Sequence, residues 1–233
     1  MSGNTHNGST DEPPPAIRAQ LLATEHWGLL AARSTAQSEV LSRISILLTL
    51  VSAGLVSLAL VGQATGFSDA FIGFAIGVLS FIVLVGVLTQ VRVMNIGMED
   101  LMYVIAMNRL RGAYVELVPG IDRAFLASPH DDFAGVQQTY YFFTPKRNLS
   151  QLFGSTMVFI ILINAALVGL LTAATTLING AATLTGIIAG SIVAIAFFVV
   201  SFGIGNRQFH SALAAYTSAF PSASATAETD PLP

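Results

Sequence analysis

The sequence predicts an all-α fold, a four-helix transmembrane bundle with cytoplasmic helical extensions and disordered N- and C-terminal tails. Three observations carry that prediction. Of 233 residues, 53% are hydrophobic and only 10% are charged, well below the roughly 25% with which a water-soluble domain covers its surface; the mean hydropathy is +0.69. Charge-free apolar runs recur at membrane-spanning length. All ten basic residues fall on one side of those runs.

In chain order, residues 1–15 end in Pro13, Pro14 and Pro15 and are rich in Ser, Thr, Asn and Gly. They hold too little apolar surface to order themselves and read as a tail. The first long apolar run begins only at Ile44, so no cleaved secretory leader is expected. Residues 17–42 contain no proline and one glycine, are rich in Ala and Leu, and end with Glu39 and Arg43 in the favourable i, i+4 order. They predict a cytoplasmic helix leading into the first span.

About twenty apolar helical residues, at about 1.5 Å each, cross a hydrocarbon core of about 30 Å. Residues 44–62 and 70–91 meet that requirement, the second run being bounded by Asp69 and Arg92. Between Asn148 and Asn206 no ionisable side chain occurs, and Ile178, Asn179 and Gly180 supply turn chemistry in the middle. Spans three and four are therefore placed at 152–172 and 184–204. The chain divides into residues 16–92, a cytoplasmic helix plus a transmembrane hairpin; 93–150, a cytoplasmic helical connector; 151–206, a second hairpin; and 207–233, a cytoplasmic tail.

In the connector, Met94, Met98, Leu101 and Ile105 recur at heptad-like spacing, and Tyr103, Met107, Leu110, Tyr114 and Leu117 make a second apolar row. Span two should continue into this helix until Pro119 and Gly120 stop it. Its apolar rows require a partner, either the N-terminal helix or a second subunit. Before span three, Tyr140, Tyr141, Phe142 and Phe143 precede Pro145, Lys146 and Arg147, a pattern that fits an interfacial anchor, with a hydrophobic segment packed in the connector as the alternative.

Orientation follows from the basic residues. Arg18, Arg33 and Arg43 precede span one, Arg92, Arg109, Arg111, Arg123, Lys146 and Arg147 lie between spans two and three, and Arg207 follows span four. The opposite side carries two short loops, 62–69 and 177–183, whose single charge is Asp69. Both termini are expected in the cytoplasm, in a plasma (inner) membrane.

Helices in lipid associate through small residues and hydrogen bonds. Gly73 and Gly77 in span two, Ala165, Gly169 and Ala173 in span three, and Gly186, Gly190 and Ala194 in span four are spaced four apart; Ser45, Thr49 and Ser52 form a row in span one. Asn164 is the one strongly polar side chain near mid-span. It reads as glue across helices, with a pore-lining or ligand role as the alternative. No Asp, Glu, Lys, Arg or His lies within a span, which argues against a proton relay, a voltage sensor or a carboxylate-dependent carrier.

Outside the spans, Glu99 and Asp100 read as a solvated face, or alternatively as a ring of acids at a channel mouth. His130, Asp131 and Asp132 are the densest group of potential metal ligands but lack a spacing signature, so they read first as loop residues. Arg109 and Arg111, together with Lys146 and Arg147, are candidate headgroup or partner contacts. The absence of cysteine removes disulfides, thiolate metal sites and thiol nucleophiles, and no phosphate-binding loop, nucleophile elbow or HExxH motif is present. No catalytic, cofactor or metal residues are assigned. A net charge of −3 gives no reason to expect a nucleic-acid partner.

Glu25-His26-Trp27, Leu29-Leu30, Arg33, the Glu39 to Arg43 entry into span one, and Met107-Asn108-Arg109-Leu110-Arg111 with Tyr114, Glu116, Leu117 and Pro119 give the chain a resemblance to a group of uncharacterised actinobacterial-type four-span membrane proteins. The resemblance covers roughly residues 20–175 and implies no particular activity. The reading is therefore a non-enzymatic multi-pass protein in contact with the lipid bilayer. Its cytoplasmic helices would mediate self-association as a homo-oligomer or binding of a membrane-protein partner. The alternative is an oligomeric ion channel or pore, with Asn164 or the small-residue faces along the path.

Overall fold

The computed structural model describes residues 13–141 and 155–223, and within them all regular structure is helical. The order is α1 (Pro15–Thr65), α2 (Asp69–Leu117), a 3₁₀ turn (Ile121–Ala124), α3 (Phe133–Tyr140), α4 (Thr156–Ile178) and α5 (Thr183–Ala215). Helices α1, α2, α4 and α5 are each long and apolar enough to cross a membrane, which fits a multi-pass membrane protein.

Two of these helices are much longer than a bilayer needs. At about 1.5 Å per residue, the 51 residues of α1 reach about 75 Å, against a hydrocarbon core of about 30 Å. The N-terminal extension and span one are thus one uninterrupted helix, as are span two and the connector rows. Helix α5 also outruns its span. Residues 207–215, which follow span four, continue as helix to Ala215; Ala and Leu in this stretch are strong helix formers. Helix α4 starts at Thr156, and the predicted anchor residues Phe142, Phe143, Pro145, Lys146 and Arg147 lie outside the described residues, as do residues 1–12 and 224–233.

The turns follow from single residues. At the end of α1, Gly66 takes a left-handed conformation (φ 61°) and the N–H of Phe67 donates to the carbonyl of Gly62 at 3.0 Å, a Schellman closure. Phe67 itself has φ 58°, unusual for an aromatic residue. Its ring lies over Gly62, where an added Cβ would come within 2.5 Å of it, and meets Phe71 edge-on at 5.2 Å. The α4–α5 turn repeats the device: Gly180 has φ 80°, its N–H donates to Leu177, and that of Ala181 donates to Thr176. After α2, Pro119 and Gly120 (φ 89°, ψ −2°) form a type II turn closed by the Ile121 N–H on the Val118 carbonyl.

The chain forms two compact units. Among the described residues, one comprises 13–32, 103–141 and 218–223; the other comprises 33–102 and 155–217. The larger unit holds the spans. Its buried residues include Val40, Ile44 and Leu47 of α1, Leu79, Ile82, Val93 and Ile96 of α2, and Ile160, Ile161, Ala165 and Leu167 of α4, while much of each span's surface is apolar and exposed, as lipid-facing helices require. The smaller unit is built around Val104, Met107, Asn108 and Val136.

Candidate functional site

Within the spanning unit, the polar centre is Asn164. Its side chain is wholly buried, and its Nδ2 donates to the carbonyl of Gly86 and to Oε1 of Gln90, each at 2.9 Å. A Cβ on residue 86 would overlap Asn164 Oδ1, so glycine is what allows the amide this close to α2. That Oδ1 is buried without a hydrogen-bond donor. Asn164 thus ties α4 to α2. Gln90, 6% exposed, is the half of this pair that the sequence reading passed over.

The small residues divide into two sets. Gly169 and Gly190 face each other across α4 and α5; a Cβ on Gly169 would lie 2.9 Å from the Gly190 carbonyl, and one on Gly190 2.5 Å from the Gly169 carbonyl. Gly186 sits against Thr176 and Ala173. These three are the seam of the second hairpin. Among the described residues, Gly73 and Gly77 have nothing within 4 Å of where a Cβ would be. The hydroxyls of Ser45 and Thr49 donate to the carbonyls four residues back, both at 2.9 Å, and are satisfied within their own helix.

Where spans one and two end, four carboxylate and guanidinium groups interlock. Arg92 donates to both oxygens of Glu39 (3.0 and 2.8 Å) and to Glu99 (2.8 Å), and Arg43 donates to Glu39 at 2.8 Å. Hydrogen bonds from Arg92 and then Arg43 bring the Glu39 pKa down to about 2, and the two glutamates hold Arg92 above the ordinary arginine value. One turn on, Arg33 donates to both oxygens of Asp100, at 2.6 and 3.2 Å, joined by Gln37. Glu99 and Asp100, expected as a solvated face with a ring of acids at a channel mouth as the alternative, are each paired with an arginine of the same unit.

The smaller unit brings together the other sequence candidates. Asn108, fully buried, donates to the His130 carbonyl at 2.9 Å and accepts from Thr139 (2.9 Å) and Arg111 (2.7 Å). Thr139 in turn accepts from the N–H of Ser128, whose hydroxyl accepts from the N–H of His130. Arg109 donates to Asp131 at 3.0 Å. Arg109 and Arg111 thus both make contacts within the unit, and Lys146 and Arg147 lie outside the described residues. His26 shares this unit; burial, and then the charge of Arg111, hold its pKa below the ordinary histidine value, and its Nδ1 is buried without a partner.

Asp131 and Asp132 are the centre of a contact that composition could not reveal. Asp131, with no exposed surface, accepts from the Ser218 hydroxyl and from the backbone N–H groups of Ala219 (3.1 Å) and Phe220 (2.7 Å), besides Arg109. Asp132 caps α3 by accepting from the Gly135 N–H at 2.8 Å, and its second oxygen accepts from the N–H and hydroxyl of Ser222. Burial opposes ionisation of Asp132, but the Ser222 hydroxyl and the N–H groups of Gly135 and Ser222 outweigh it and hold the carboxyl below its ordinary pKa. The Phe220 ring lies against Gly112, where a Cβ would approach within 2.6 Å of it. Among the described residues no group of three or more His, Asp or Glu side chains is arranged to hold a metal.

Comparison of the chain with protein-family models, curated proteins and solved structures finds no match.

Proposed function

We propose that this is a non-enzymatic plasma-membrane protein, with both termini and the smaller unit in the cytoplasm, whose cytoplasmic helices mediate self-association. The observation that carries this reading is the apolar surface of the smaller unit. Trp27 and Leu126 are each 72% exposed, and Leu21, Val118 and Phe133 are exposed as well. All lie outside the spans, so lipid tails do not account for them. Single exposed apolar residues are ordinary; several on a small helical unit, including a tryptophan, fit a contact surface, since aromatic residues dominate the energetics of protein contacts. The placement of every basic residue on the same side supports the orientation.

The test is photo-cross-linking in intact membranes with a benzophenone amino acid at position 27. The expected product is an adduct of two copies, lost when Leu126 is replaced by Ser. Absence of any adduct from position 27, with ordinary expression, would overturn the reading.

A further inference from the structure

We propose that the Gly112 notch and the Asp131–Asp132 carboxylates form a capture site for the segment Ser218-Ala219-Phe220-Pro221-Ser222, which closes it in cis as an exchangeable clasp. Helix α5 ends at Ala215 and the chain continues as irregular structure before these contacts are made. The segment then engages at three points. Ser218, Ala219 and Phe220 turn their hydroxyl and N–H groups to Asp131, the Phe220 ring fills the notch, and Ser222 presents its N–H and hydroxyl to Asp132. In return the Asp131 N–H donates to the Phe220 carbonyl at 3.3 Å.

The spelling of the segment accounts for this geometry. Pro221 has no N–H to leave unpaired, and its fixed φ carries the chain from one carboxylate to the next. Serines at 218 and 222 supply donors at each end. On the receiving side, only glycine at 112 leaves room for the ring, and a buried carboxylate such as Asp131 needs the donors that the segment brings. The contacts are a few hydrogen bonds and one ring, and ordering a short irregular segment carries an entropic cost that opposes them. Such a clasp is suited to release, and a vacated site would take the same segment from a second copy, since exchange of an identical element requires no new contacts.

The test uses the full chain in nanodiscs and a fluorescein-labelled peptide of residues 217–223. In Phe220→Ala the cis segment loses its anchor while the site stays intact, so this variant should bind the peptide at least about tenfold more tightly than wild type does. Binding should vanish when Gly112→Leu is added; Asp132→Asn serves the same purpose if the leucine variant does not fold. A peptide carrying the same Phe to Ala change should bind neither protein. Failure of the Phe220→Ala protein to bind, or equal binding by it and by wild type, overturns the proposal.

Discussion

At the scale of the residue, two buried polar groups do the most and were unequally legible. Asn164 stands out in the sequence because an amide in hydrocarbon must find partners. Its partners, Gly86 and Gln90, do not stand out, because each is ordinary by itself and acquires meaning only when α4 is laid against α2. Interhelical hydrogen bonds in membranes contribute about 0.6 to 2 kcal/mol, so Asn164→Leu is expected to lower stability by that order. Gly86→Ala should cost at least as much, because its Cβ takes the space of the amide oxygen. Unfolding in detergent mixtures of increasing SDS content measures both, and unchanged midpoints would contradict the assignment. The role of Asp131 and Asp132 was hidden for a related reason. In the sequence they are loop acids, and the four residues they bond there, Ser218, Ala219, Phe220 and Ser222, lie far along the chain in a stretch of tail-like composition.

The same scale fixes a pH dependence. Asp132 has a folded pKa below its ordinary value, so its contribution to the clasp is complete above the ordinary carboxyl range and is lost as pH falls through the lowered value. The charged groups facing the pair are Arg109 on Asp131 and His130 near Asp132. The chain has no cysteine, which permits a single label at Ala223→Cys. Its anisotropy should stay constant from neutral pH down to the ordinary carboxyl range and fall only below it. A drop near neutral pH would mean that another group governs the clasp.

At the scale of the element, the spans were readable because length and apolarity are what a bilayer demands. The Gly180 turn was readable because a left-handed residue is what a tight helix end demands. The reach of the helices was less so: Ala and Leu in residues 207–215 favour helix but do not mark where α5 stops, which is at Ala215. Small residues were half-legible, since spacing alone does not separate Gly169 and Gly190, which meet, from Gly73 and Gly77, which have no neighbour among the described residues within 4 Å of an added Cβ. Gly190→Val should therefore destabilise the α4–α5 hairpin, whereas Gly77→Val should leave monomer stability within about 0.5 kcal/mol. Comparison of their SDS unfolding midpoints checks this, and equal effects would contradict it. Between α1 and α2, the Glu39 pKa of about 2 lies below its unfolded value, so the stability it confers is present above the unfolded pKa and lost only as pH falls through about 2. In Arg92→Gln the Glu39 pKa should rise toward the ordinary range, as read by carboxyl carbon NMR.

For the whole molecule, the scarcity of charge identified a membrane protein and the placement of charge gave its proposed orientation. Reporters inserted at Thr65 and Asn179 should lie on the opposite side of the membrane from one fused after Ala215; all three on one side would contradict that topology. The central claim is that the unit outside the spans joins copies of this chain through Trp27, Leu126 and their neighbours. The most direct measurement is the protein mass of the particle in nanodiscs large enough for several copies. The account predicts more than one copy for wild type and a single copy for Trp27→Ser with Leu126→Ser; a wild-type particle of one copy at every concentration would contradict it.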